Sequence, residues 1–137
     1  MTIRKFQLID TDKVIALWQE AFSDAPLKQN PAEDIDCKWR TQRDLFWVYE
    51  EQGQIVGTIM AGYDGHRGWI YSVAVDDSCR GTGIGKRLVS HAVESLKGVG
   101  CRTVHLQVRE RTAKVVSFYE KLGFSVLPRI SMYKSLV

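Results

Sequence analysis

Apolar residues along this chain follow two different spacings, and each spacing predicts its own kind of element. From Thr2 to Leu8, Ile3, Lys5 and Gln7 alternate with Arg4, Phe6 and Leu8, the period-two pattern of a strand. Asp10 or Thr11 then offers a cap for a helix on which Val14, Leu17, Trp18, Ala21 and Phe22 share one face. Asn30-Pro31, with Glu33 beyond, reads as a second helix start with proline at the first helical position, and the helix runs to about Thr41. Period two returns in Leu45–Tyr49, Gln54–Tyr63 and Trp69–Val75, separated by turns at Glu50-Glu51-Gln52-Gly53 and Asp64-Gly65-His66-Arg67-Gly68, which predicts an antiparallel meander.

The helical period resumes at Ile84, Leu88, Ala92 and Leu96, joined by Val89 and Val93, and stops near Gly98 and Gly100. Val104, Leu106 and Val108 alternate with Thr103, His105 and Gln107 as a half-buried strand. A helix from about Thr112 to Leu122 ends at Gly123, and Phe124–Leu127 and Ile130–Lys134 form final strands around Pro128. The expected order is βααβββαβαββ, an α/β domain spanning residues 1–137 without linker or repeat.

Composition narrows the class. With 137 residues, 45% hydrophobic and 26% charged, the chain suits one globular domain and excludes a disordered or collagen-like one. No apolar run is long enough for a membrane span, and the start carries no signal-peptide pattern, so a cytoplasmic protein is expected. Cys37, Cys79 and Cys101 are an odd, scattered set, which argues against a disulfide framework or a zinc site, and no metal is expected. A net charge of +3 fits an anionic small ligand and falls short of the field of a nucleic-acid binder.

The candidate chemistry lies in Arg80-Gly81-Thr82-Gly83-Ile84-Gly85-Lys86, between the strand ending at Val75 and the following helix. Each glycine in a first helical turn costs up to about 1 kcal/mol against alanine, so three at alternate positions imply that the missing side chains serve a purpose. No Ser, Asp or Asn is placed to cap this helix, and a phosphate could take the open N–H groups. Two familiar phosphate loops are excluded. A Walker loop needs four residues between its first glycine and Gly-Lys, and here three intervene after Gly81. A dinucleotide fingerprint needs glycine where Lys86 stands, after a parallel strand and not a meander.

What remains, Arg80-x-x-Gly83-x-Gly85, resembles the coenzyme A loop of the GNAT family of N-acetyltransferases. A second segment, Phe118-Tyr119-Glu120-Lys121-Leu122-Gly123-Phe124, is similar to that family's later hallmark. Element order matches along nearly the whole chain, and Gly57–Gly68 looks closest to the small bacterial YpeA-like branch. The resemblance implies a GNAT fold, a mixed and mostly antiparallel sheet with helices on both faces, and acetyl-CoA as cosubstrate. It implies that Val73, Ala74 and Val75 offer backbone groups to the pantetheine arm and to charge developing on the carbonyl oxygen. Arg80, Gly81, Thr82, Gly83, Ile84, Gly85 and Lys86 would hold the pyrophosphate, with Arg87 a further source of charge. Tyr119 would be the acid that protonates the departing thiolate. The acceptor would be an amine, on a small molecule or a protein, attacked directly in a ternary complex; no nucleic acid or membrane partner is implied, and a homodimer is compatible.

Three positions depart from the family pattern. Gln107 stands where many members carry a glutamate base, and an amide cannot accept a proton. Thr112, the expected cofactor contact after that strand, replaces a common asparagine, and Val115 a common alanine. An alkylamine of pKa near 10.4 is only about one part in 2500 neutral at pH 7, so protons need a way out, through a water chain, Asp64, His66 or Tyr71. Trp18, Phe22 and Trp39 face the core or the acceptor pocket. Two other readings are a non-catalytic acyl-CoA-sensing module, which Gln107 and Thr112 suggest, and a nucleic-acid binder using Arg80, Lys86 and Arg87.

Overall fold

The alternating segments pair in chain order. The computed structural model describes residues 2–23, 30–109 and 113–137, which fall into one unit ending at Leu106 and a second of Gln107–Val137. In the first unit, strands β1 (Thr2–Lys5), β2 (Phe46–Glu51), β3 (Gln54–Tyr63), β4 (Gly68–Val75) and β5 (Val104–His105) form one sheet in the order β1-β2-β3-β4-β5. The first four are antiparallel, and β5 is parallel to β4. The β2–β3 connection is a two-residue hairpin in which Gln52 (φ 51°) and Gly53 (φ 75°) are both left-handed, the turn whose twist suits a hairpin. A parallel partner requires a crossover, supplied by helix α3 (Ile84–Gly98).

Helices α1 (Thr11–Ala21) and α2 (Pro31–Gln42) cover one face of the sheet. Asn30 caps α2 by accepting the Glu33 N–H at 3.3 Å, with Pro31 at the first helical position as expected. Their apolar stripes close on Phe6, Phe46, Val48, Met60 and Ala74, with the Phe6 and Phe46 rings stacked 4.3 Å apart. Alternation sends Trp47 and Tyr49 to the opposite face, where α3 lies: His91 meets Trp47 edge-on at 5.2 Å, and Arg87 donates to the Tyr49 hydroxyl at 2.7 Å. Gly57 lets α3 settle, since a Cβ there would stand 2.9 Å from Leu88 and 3.2 Å from Ile84. Burial of Ile84, Leu88, Val89 and Leu96 contributes about 1.5–3 kcal/mol each, which outweighs the roughly 1 kcal/mol that a helical glycine costs.

Two irregularities shape β4. Thr58 pairs with Ala74 and Met60 with Tyr71, so Ser72 and Val73 together oppose Ile59 in a bulge, with Ser72 left-handed at φ 53°. On its other edge, only Gly68 and Trp69 of β4 find partners in β5; among the described residues the stretch from Ile70 to Val75 has no strand beside it there. The strand expected over residues 103–108 thus shrinks to Val104–His105.

In the second unit, helix α4 (Ala113–Lys121) ends in a Schellman motif. Gly123 (φ 94°) donates to the Glu120 carbonyl at 3.0 Å, and Phe124 donates to that of Tyr119 at 3.1 Å. The α/β class and mixed sheet are as expected, but the order ends βααβββαβα. The strands expected at Phe124–Leu127 and Ile130–Lys134 do not form, and Val126, Leu127, Ile130, Met132 and Tyr133 are exposed. Alternation marks only a preference. A strand needs a ladder partner, the described residues of this unit supply none, and Pro128 removes one donor.

Candidate functional site

The turn leaving β4 is built by short-range hydrogen bonds. Asp76 accepts from the Ser78 N–H at 2.9 Å and from its hydroxyl at 2.7 Å, Thr82 donates to the Cys79 carbonyl, and Arg80 pairs with Asp77 at 3.0 Å. Gly81 (φ 79°) and Gly83 (φ 88°) then take the left-handed conformation, and a Cβ at either would meet nothing within 4 Å. Here glycine meets a backbone need, and the space around it is free for a ligand to approach the main chain. Gly83 is the N-cap of α3 and, lacking a side chain, supplies no capping bond; its carbonyl accepts the first helical bond from Arg87 at 3.1 Å. The N–H groups of Ile84, Gly85 and Lys86 thus have no acceptor in the helix, and the dipole adds positive potential.

Charge around this helix start is unevenly committed. Arg80 is tied to Asp77, and Arg87 turns back to Tyr49. Lys86 is exposed and makes no ion pair among the described residues. A groove of about 570 Å³ joins Gly83 and Lys86 to Ile3, Ser90, His91 and Glu94, but none of its lining comes from β4. Val73, Ala74 and Val75 instead lie on the strand whose edge is open, with Ala74 buried and the other two half-buried.

The second unit holds Tyr119, half-buried between Phe118 (5.0 Å) and Phe124 (5.6 Å), both edge-on. Burial pushes its phenol up to about 12. Gln107 is exposed and donates to the Ser131 hydroxyl, and Val115 is exposed. Thr112 lies outside the described residues.

Comparison with known proteins places this arrangement. The model of the acetyltransferase (GNAT) family matches residues 11–124, from α1 to the end of the Schellman turn. The chain belongs to the GNAT family. An acetyltransferase of Pectobacterium atrosepticum is 40% identical to it across all of this chain and 96% of the relative's length. Ard1 from Thermoplasma volcanium is 26% identical with a TM-score of 0.79, covering 92% of this chain and 83% of that one. Naa20 of Chaetomium thermophilum, solved in complex with a bisubstrate analogue, is 25% identical with a TM-score of 0.76 over 92% of this chain and 72% of that one. The protein is therefore an N-acetyltransferase, of a family that uses acetyl-CoA and acts on amine acceptors. No helix among the described residues is long and apolar enough to cross a membrane.

As GNAT proton carriers, Asp64 and Tyr71 are poorly suited. Asp64 accepts the Arg67 N–H at 2.8 Å and the His66 N–H at 2.7 Å, bonds that hold its carboxyl below the usual range and make it a weak base. Tyr71 is pushed up by burial and then by the nearby Asp64 charge. Trp18 is core; Phe22 and Trp39 pack partly buried against it, with Arg43 4.3 Å over the Trp39 ring.

Sequence reading missed Lys38 and Gln42, which share a face of α2. β3 runs on to Tyr63 after its pairing with β2 ends at Met60, and α2 side chains take over that edge. Lys38 donates to the Ala61 carbonyl, and the Gln42 amide both donates to the Tyr63 carbonyl (2.8 Å) and accepts its N–H (3.3 Å). Gly62 leaves room, for a Cβ there would lie 3.4 Å from Gln42, 3.7 Å from Tyr71 and 4.0 Å from Lys38. Only the i, i+4 spacing hinted at this pair. Desolvation brings the Lys38 ammonium down to about 8 from 10.5, so between those pH values the unfolded chain holds a proton that the folded chain has released. Stability therefore rises with pH across that window, and urea melts of Lys38→Met are expected to lose that slope.

Proposed function

We propose that residues 1–137 act as one domain that transfers acetyl from acetyl-CoA to a primary amine by direct attack in a ternary complex. The observation that carries this reading is the meeting of an open strand edge with an uncapped helix start: among the described residues β4 has no strand on its β5 side from Ile70 to Val75, and α3 has Gly83 as its N-cap with no side-chain cap. The free edge suits the amide-bearing pantetheine arm, and the N–H groups of residues 84–86, with Gly81, Gly83 and exposed Lys86, suit the pyrophosphate. Arg80 and Thr82 shape the loop through Asp77 and Cys79. Negative charge on the carbonyl oxygen as the amine adds would be met by an N–H of Val73–Val75.

In this reading Tyr119 is the acid that receives the leaving thiolate. A phenol at about 12 stays protonated at any working pH, and it can release its proton to a thiolate of ordinary pKa near 8.5 only if that thiolate is also desolvated. Thr112 belongs with the cofactor contacts. The family match over 11–124 spans both units and supports treating them as one domain, and a related enzyme captured with a bisubstrate analogue supports a ternary complex. An amine panel incubated with acetyl-CoA, read by mass spectrometry for a gain of about 42 Da, tests the assignment. At least one amine is expected to be acetylated, and acetyl-CoA binding without any acetylated amine would oppose it.

A further inference from the structure

The bulge in β4 is anchored from two other elements. Thr58 of β3, wholly buried, donates its hydroxyl proton to the Ser72 carbonyl at 3.0 Å, and the same oxygen accepts the Trp18 indole N–H from α1 at 2.8 Å. A hydroxyl has one proton, so the chain has one direction, from N–H to O–H to O=C. Ser72 sits at φ 53°, a conformation that disfavours residues with a Cβ and persists where the surroundings impose it. The hydroxyl also satisfies a carbonyl that the bulge has taken out of ladder register.

Peptide planarity carries this anchor to the open edge. The Ser72 carbonyl and the Val73 N–H belong to one rigid trans unit and point in opposite directions. Holding the carbonyl against Thr58 therefore aims the Val73 N–H away from Thr58. Ser72 and Val73 have no register partners on β3, and β5 does not reach this far.

We infer that Thr58, held by Trp18, is a positioning residue for acetyl transfer: by pinning the Ser72 carbonyl it aims the Val73 N–H at the thioester oxygen. This rests on the reading that acetyl-CoA lies along β4. Without the hydroxyl the bulge peptide can rotate, and the N–H loses its aim while the pyrophosphate loop is untouched.

The test uses the full chain with acetyl-CoA labelled with carbon-13 at the carbonyl, followed by infrared difference spectroscopy and calorimetry. Bound to the wild type, the carbonyl band is expected to lie below its position in free acetyl-CoA. Thr58→Val is expected to return it towards the free position and Trp18→Phe part of the way, with affinity kept within about threefold because the Thr58 hydroxyl bonds Trp18 and the Ser72 carbonyl and not the loop. Thr58→Ser, which keeps the hydroxyl, restores the shift. A merely structural role for Thr58 would lower melting temperature and leave the band of bound acetyl-CoA where it was, and that result would overturn the inference. If Thr58→Val does not fold, an unmoved band in Trp18→Phe has the same force. A wild type that binds no acetyl-CoA, or binds it with an unshifted carbonyl, would instead bring down the underlying reading of β4, and the inference with it.

Discussion

Gly83→Glu is expected to weaken acetyl-CoA binding by about a hundredfold or more while lowering the melting temperature by only a few degrees. The two effects have separate causes. At φ 88° any side chain is strained, at a cost of about 1–2 kcal/mol, but a Cβ there meets nothing within 4 Å, so the fold has room for it. The carboxylate sits among the N–H groups proposed to hold the pyrophosphate, and like charges brought together without water cost several kcal/mol, of which about 2.8 suffices for a hundredfold. Gly83→Ala controls for strain: it should show a similar fall in melting temperature with much of the affinity kept. Calorimetric titration with acetyl-CoA beside thermal melts decides the matter. Equal losses of affinity in the two variants would mean that Gly83 serves the turn alone, and the pyrophosphate assignment would have to move.

The loop was legible in the sequence because its information is local. The need for bare main chain in the loop, an uncapped helix and the apolar face of α3 follow from residue type at adjacent positions and were read from those residues, while the left-handed φ of Gly81 and Gly83 is seen only in the structure. The meander was legible for the same reason, with Gln52-Gly53 making the turn that hairpin twist favours. The bulge was not. It depends on a hydroxyl at position 58 meeting an indole 40 residues earlier and a carbonyl 14 residues later, and nothing near Ser72 announces a left-handed serine. Lys38 was hidden differently, since on a polar helix it reads as a solvated charge and only the early end of β2 makes it an edge cap. The last two strands were over-read for the converse reason: Phe124–Lys134 has alternating residue types but no ladder.

Tyr119→Phe is expected to lower kcat by about a hundredfold, within the range general acids contribute, and to leave KM for acetyl-CoA nearly unchanged. The variant keeps the ring that packs edge-on against Phe118 and Phe124, so melting temperature should hold or rise slightly. The pH profile distinguishes this from a packing defect. A general acid must be protonated to act, and with the phenol pushed up to about 12 the wild-type rate should not fall through loss of that proton at any pH below about 11. The rising limb instead belongs to the acceptor, whose neutral fraction grows tenfold per pH unit until its own pKa, because Gln107 accepts no proton and Asp64 is too weak a base to replace it. Tyr119→Phe should therefore lower the whole profile between about pH 6 and 10 without moving its shape. A falling limb near pH 8–9 that vanishes in the variant would place the acid's working pKa much lower than the free protein has it, with bound cofactor resetting the phenol. An unchanged kcat would remove Tyr119 from the chemistry and leave the thiolate to depart by taking its proton from water.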